Sequence, residues 1–545
     1  MLSAKNHTLR VPKKTMRRPI IFSVILFVAI IFLAVLYFKN LNTPGSRTTG
    51  VLSAIPNNAA LIFEFNNEDS FYDIFNENKL FASVIGTTQI GELDTLRKQL
   101  LDNKELRPFF NGQDVFISFH PAKDNAIGML VSTSAGKNFD VKAFDKLSEA
   151  KQKGLNITST TFGGKKGYDI FLADVNKHFY LASKEKGIYA GSFSKEMTEL
   201  FAAYTPQKDQ KNFIQLPQQQ TSNSLANLYI NYAQLNPLFD KLLKNKFSDI
   251  FKSQRLLPAL GVLDLNFKSD ALMFSGYTET DPVKASSYVS LFLDQQPVVN
   301  QLIDIFPSTT AYSVNFAVSD VKKFKKDLSA WQAKAGLQHE KDSLFNKIKT
   351  EAGISLISEF NKVLGKEFAV VTTRFMEKLA IVTLTDGSEL RPVMNNISKM
   401  DGEEIGQFNY NKIPFFLLGD AFSMFNHPWF MIVDNYLVLA NSKNELMSYR
   451  DSYFNSKFQS KLQAYNDFSK LLTQRSNISW YINFKNSQAV FKRDLNNSFY
   501  KAYSNNEPGW KNFYAASYQL SAADKNFYTV FCMNLNQPDT TSVNK

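Results

Sequence analysis

Two tripeptides, Tyr229-Ile230-Asn231 and Tyr481-Ile482-Asn483, repeat the same side chains 252 residues apart. On a β-strand the tyrosine and asparagine of each point to one face and the isoleucine to the other. Each copy therefore sets a phenol beside a carboxamide, a pair able to hydrogen-bond a polar ligand. The alternative is local: Asn often closes a strand end on neighbouring backbone. We expect the local role, and keep Tyr229, Asn231, Tyr481 and Asn483 as the candidate ligand or structural pair.

Other chemistry finds less support. Metal sites need several ligands at helical or hairpin spacing, and His7, His120, His178, His339 and His427 are scattered. His120 and His178 fall at strand ends, where a hydrogen-bonded structural imidazole is expected. Gly163-Gly164-Lys165-Lys166-Gly167 lacks the Gly-Lys-Ser/Thr ending of a phosphate cradle and lies between TSTTF and YDIFL, so it predicts a hairpin turn. No Gly-x-Ser-x-Gly elbow occurs. The acidic pairs Glu403-Glu404 and Glu279 with Asp281 are expected to face solvent. The single cysteine, Cys532, sits in FYTVFCM, which reads as a buried strand without a basic neighbour to activate a thiol. No catalytic residue, metal or cofactor is expected.

The elements that position these residues recur. DIFPSTTAYSVNFAVSDVKKF sets Pro307, Ala311, Phe316 and Asp320 against Pro56, Ala60, Phe65 and Asp69, 251 residues earlier. Gly112-Gln113-Asp114 answers Gly365-Lys366-Glu367, Ala126-Ile127 answers Ala380-Ile381, and Ser269-Asp270 answers Ala523-Asp524, in the same order. Matches in one order with small drift point to a tandem duplication.

Within the first copy, alternation predicts strands at Ala60–Phe65, Val115–Phe119, Ile127–Ser132, Ile157–Phe162, Tyr168–Ala173, His178–Ala182 and Gly187–Ala190. Helices are predicted within 68–108, at Val141–Lys153 and at Lys195–Ala203. The second copy predicts helices at Val321–Ala335 and Asp342–Leu364 and strands at Phe368–Thr372 and Leu379–Leu384. Runs of strands joined by tight turns imply antiparallel pairing with helices on one side. The fold class is α+β: an N-terminal transmembrane helix, then two tandem, similar antiparallel-sheet-plus-helix domains whose shared surface is the first place to seek a cleft.

The span is Ile20 to Phe38, nineteen residues without a charge. As a helix it covers about 28 Å, close to the hydrocarbon core of a bilayer. Lys5, Arg10, Lys13, Lys14, Arg17 and Arg18 precede it with no acidic residue, which keeps that end cytoplasmic. The run is too long, and its exit through Tyr37-Phe38-Lys39 too bulky, for a cleaved signal peptide. The expected division is a basic tail 1–18, a signal anchor 19–39, a spacer 40–50, repeat one 51–282, a connector helix 283–302, repeat two 303–535 and a frayed tail 536–545.

Net charge is +12, but residues 1–39 hold seven Lys or Arg and no acid. Subtracting them leaves +5 for the remainder, which gives little support to a nucleic-acid partner. The basic tail suits anionic headgroups instead. One cysteine permits no internal disulfide, so a domain outside the cytoplasm must rest on its core.

The opening Ile55-Pro56-Asn57-Asn58-Ala59-Ala60, a short spacer after the apolar run and before an aromatic strand, resembles a bacterial family of membrane-anchored envelope proteins classed as a domain of unknown function. That resemblance implies a long α+β region on the periplasmic side of the inner membrane and transfers no catalytic residues. The expected role is non-catalytic binding or scaffolding of an envelope protein or lipid. The alternatives are a lipid or lipoprotein acyl-chain carrier, holding an apolar cavity of several hundred cubic ångströms, and an envelope hydrolase.

Overall fold

A computed structural model describes residues 48–536 except 70, 73–79, 81–82, 85, 124–126, 137–138, 140–141, 150–153, 185–186, 207–223, 245–256, 269, 282–286 and 508. The tail and span expected over 1–39, with Arg17, Arg18, Ile20 and Phe38, lie outside them, as do most of the spacer and the tail after 536. No helix among the described residues is long and apolar enough to cross a membrane.

The early strands are β1 (Leu61–Asn66), β2 (Asp114–Pro121), β3 (Ile127–Ser134), β4 (Leu155–Phe162), β5 (Lys165–Leu172), β6 (Lys177–Lys184) and β7 (Ile188–Ser192). Then come β8 (Ala226–Asn231), β9 (Ala259–Phe267), β10 (Ala271–Thr280), β11 (Val298–Val299), β12 (Thr310–Ala317), β13 (Leu364–Thr373) and β14 (Lys378–Leu384). The rest are β15 (Ser398–Asp401), β16 (Ile405–Phe408), β17 (Trp429–Val433), β18 (Tyr436–Ala440), β19 (Arg475–Ser476), β20 (Ile478–Asn483), β21 (Phe513–Ala523) and β22 (Asn526–Leu535). β11 and β19 form a small separate pair, and the other twenty strands make one antiparallel sheet.

Followed from partner to partner, the first half runs β4-β5-β6-β7-β3-β2-β1-β8-β9-β10. From the other edge, the second runs β15-β16-β17-β18-β14-β13-β12-β20-β21-β22. The connectivity is the same in both. β10 and β22 pair from Ala271↔Asn534 to Thr278↔Phe527, joining the halves edge to edge. A cleft between two docked bodies, expected from the sequence, is replaced here by a continuous sheet, because the inner edge of each half completes the other's hydrogen bonds.

Helices cover both faces, not one. Strands such as β12, buried at every position, read as unbroken apolar runs and need cover on each side. On one face the main core joins both halves, with Phe316 and Phe368 stacked at 5.7 Å and Phe274 facing Phe531 at 6.4 Å. Fully burying one such ring stabilises by roughly 1.5–3 kcal/mol. The opposite face carries smaller clusters under the helices Thr48–Ala54, Lys195–Ala203 and Lys443–Phe454.

Three sequence expectations change. The helix expected over 342–364 is two, Gln338–Ala352 and Leu356–Val363, divided at Gly353, whose φ of 71° suits glycine. The described part of the connector 283–302 is no long helix: short 3-10 turns at Tyr288–Phe292 and Leu302–Ile305 flank β11. Pro297 between them lacks an amide donor and cannot continue a helix. Finally, Ala380 pairs with Val370 whereas Val131 pairs with Ile117. Since β13 follows β2 by 253 residues, Ala380 takes the place of Val131 rather than Ala126, because the second hairpin is shorter.

Candidate functional site

The ladder sets Tyr229 beside Ile62 and Val262, and Tyr481 beside Ser313 and Ser517, at corresponding rungs of the two halves. Their surroundings differ. Tyr229 is fully buried and its hydroxyl donates to the Glu64 carboxylate, which also accepts from Asn227 Nδ2 at 3.0 Å. Burial, then the neighbouring Glu64 charge, holds the phenol well above its ordinary pKa. Tyr481 instead packs against Tyr465 at 5.8 Å and Phe468 at 5.9 Å. Asn231 precedes the helix Tyr232–Leu242 without a side-chain capping bond, while Asn483 Oδ1 accepts from the Asn486 amide at 2.9 Å.

The two-residue turn Gly163-Gly164 joins β4 to β5 with both φ positive, a hairpin geometry that only small residues take readily. Cys532 is buried in β22, where desolvation pushes its thiol up to about 12. No group of three His, Cys, Asp or Glu among the described residues could hold a metal.

One array escaped the sequence reading. Ser118 and His120, two apart on β2, share a face; Ser118 Oγ lies 2.8 Å from His120 Nε2, and His120 Nδ1 lies 2.7 Å from Asn58 Oδ1. An amide oxygen only accepts, so Nδ1 carries the proton and Nε2 accepts from the serine. The order serine, histidine, orienting amide is that of a hydrolase nucleophile and base. Yet Ser118 and His120 have no exposed surface, and burial lowers the imidazole to about 4. With the hydroxyl sealed from solvent, the array's visible work is to pin the Ile-Pro-Asn-Asn-Ala-Ala opening to the sheet. Ser-x-His at strand spacing was the available signal; the reach to Asn58 was not visible in one dimension.

A groove of about 800 Å³ lies in the second half among the helices Val321–Lys334, Gln338–Ala352 and Leu356–Val363. Lys322, Lys325, Lys349 and Lys362 line it over Phe345 and Leu356, and no acidic residue does. Lys362 pairs at 2.8 Å with Glu359 outside the lining. Lys325 donates to the Asn361 carbonyl at 2.6 Å, and burial lowers its ammonium to about 8. In the first half, two apolar cavities of about 100 and 70 Å³ share the walls Leu96, Leu101, Val115 and Val131. At the mouth of the larger, the Arg97 guanidinium lies 3.5 Å over the Tyr72 ring and 3.0 Å from Asp102. Tyr229, Asn231, Tyr481 and Asn483 line none of these three spaces.

No family model and no curated protein matches the chain. Two solved structures resemble it distantly. Crystal form III of TP0453, a treponemal envelope protein, is 11% identical with a TM-score of 0.22, over 46% of this chain and 89% of that one. Crystal form I is 14% identical with a TM-score of 0.23, over 48% and 90%.

Neither the lysine groove nor the paired cavities was foreseen from sequence. Lys322 and Lys325 share one helix face three residues apart, but Lys349 and Lys362 join them only through the packing of three helices.

Proposed function

We propose that this chain is a non-catalytic binding protein of a bacterial envelope, held by Ile20–Phe38 in the inner membrane with its bulk periplasmic and its ectodomain duplicated. The groove carries the binding reading: convergent cationic groups over an apolar floor are the usual form of a ligand site. The matching strand order of the two halves supports the duplication. The uncharged run behind a basic tail supports the anchor. The sealed Ser118 hydroxyl favours binding over hydrolysis.

The test joins topology to contact. In spheroplasts, protease should reach the bulk of the chain that intact cells protect, and the protein should sediment with membranes. A photo-crosslinking residue at Asn346, in the groove, should then give a discrete adduct. Free fractionation with soluble material, or an adduct-free groove in intact cells, overturns the reading.

The first-half cavities favour a second reading, an acyl-chain carrier. Their volumes fall short of the several hundred cubic ångströms expected, though they share walls and are lined almost wholly by apolar side chains. Lipid extracted in stoichiometric amount from the purified protein, and lost on Leu101→Arg, would support it. Protein free of lipid after mild detergent extraction would reject it.

A further inference from the structure

We propose that the groove bounded by Lys322, Lys325 and Lys349 binds a phosphate monoester or diester, its charge on the lysines and the remainder of the ligand on Phe345 and Leu356. The proposal rests on the reading of the groove as a ligand site and names what that ligand must carry.

Three observations support a phosphate. First, among the described residues Lys322, Lys325 and Lys349 form no ion pair, although most of the protein's other close lysine contacts are to carboxylates such as Asp401 and Glu340. Three like charges lining one space offer an anion a shared counter-charge. An ammonium offers three donors on a compact charge, and phosphate presents several acceptors, so three lysines can share one group.

Second, the fold does not demand these side chains. At the 251-residue offset, Lys322 and Lys325 stand where the first copy has Phe71 and Ile74, and Phe71 is buried in the core. At this position the first half buries the Phe71 ring and the second exposes the Lys322 cation. That asymmetry is expected of a site added to one copy of a shared scaffold.

Third, the volume suits more than a free ion. About 800 Å³ far exceeds one phosphate, and Phe345 and Leu356, both buried, form an apolar floor beside the charges. Lys325 is steadied by the Asn361 carbonyl, so part of the ordering cost of a long side chain is met before a ligand arrives.

The experiment uses the full chain in nonionic detergent, with an environment-sensitive fluorophore on Asn346→Cys; Cys532 is buried and unreactive to the label. Probes are inorganic phosphate, glycerol phosphate and mixed micelles of phosphatidylglycerol or phosphatidylcholine, all at constant ionic strength with acetate as control. A saturable response to a phosphate probe, absent with acetate and weakened at least tenfold in K322Q/K325Q/K349Q but not in Lys399→Gln, supports the proposal. Response to the soluble phosphates identifies a free phosphate ligand, and response to phosphatidylglycerol alone identifies a lipid headgroup. Equal affinity in the triple variant, or no saturable response to any probe, overturns it. Circular dichroism and the denaturation midpoint establish that the triple variant is folded. A groove that crosslinks in cells yet ignores every phosphate probe would sink this proposal while leaving the binding function standing.

Discussion

Thr278 and Thr529, one on each strand of the central seam, place their hydroxyl oxygens 2.7 Å apart with no exposed surface on either. Tyr232 Oη lies 3.1 Å from Thr278 Oγ1 and also meets the Tyr518 hydroxyl. A four-hydroxyl chain thus crosses the join, inside the main core. Buried hydroxyls cost free energy when unpaired, so the chain acts as a unit. Thr278→Val should destabilise by about 1–3 kcal/mol, the cost of stranding its partners. T278V/T529V should lose less than the sum of the single variants. A double-mutant cycle on the urea midpoint checks this, and strict additivity would mean that the two hydroxyls do not couple across the seam.

His120 gives the acid limb of the stability curve a defined window. Its folded value of about 4 lies below the ordinary 6.5 because burial penalises the cation. Between those values the unfolded chain binds the extra proton, so stability falls as pH drops from 6.5 towards 4 and is fully present above 6.5. At about 1.4 kcal/mol per unit, the loss reaches about 3 kcal/mol. His120→Gln removes the titration and should flatten that limb, read as the denaturation midpoint at a series of pH values. An identical slope in the variant would show that other groups set the acid limb.

The strands that were expected were legible because their alternation is local: β2, β3, β5, β13 and β14 fall within a few residues of their expected positions, whereas β15 to β18 carried no expectation. Tyr229 and Tyr481 sit on β8 and β20, which hold the same place in the two strand orders. The seam was not legible. Nothing in ALMFSGY or NFYTVF says that these strands pair with each other rather than ending two separate sheets, because edge hydrogen bonding is done by backbone. The lysine groove was hidden for a related reason. Charges on three helices converge only after Gly353 turns the chain, and composition had shown a nearly balanced domain.

Gly419 is held at φ 102°, and a Cβ there would stand 2.1 Å from a ring carbon of buried Tyr288. The tyrosine cannot swing aside without breaking its 2.5 Å bond to the Leu418 carbonyl. Gly419→Ala therefore combines backbone strain with overpacking and should cost more than about 2 kcal/mol. G419A/Y288L relieves the clash and should cost less than the two single changes added. If G419A leaves the thermal midpoint unchanged, the ring is not tightly held.

Lys325 links the groove to stability. Burial lowers its ammonium from the ordinary 10.5 to about 8, so between those values the unfolded chain holds more protons and stability rises with pH. Below pH 8 the side chain is charged in both states and the folded state bears the desolvation. Lys325→Met keeps the apolar stem and removes that cost. It should unfold at a higher urea midpoint than the parent at pH 7, and the gap should close as pH rises from 8 to 10.5. The other charged groups lining the groove are Lys322, Lys349 and the Glu359-paired Lys362; none offers Lys325 an anion. An added phosphate would, and should raise the parent's midpoint at pH 7 more than the variant's, since only the parent gains a counter-charge for a half-buried cation. A gap that ignored both pH and phosphate would mean that the ammonium already reaches solvent, and the groove would lose its most constrained cation.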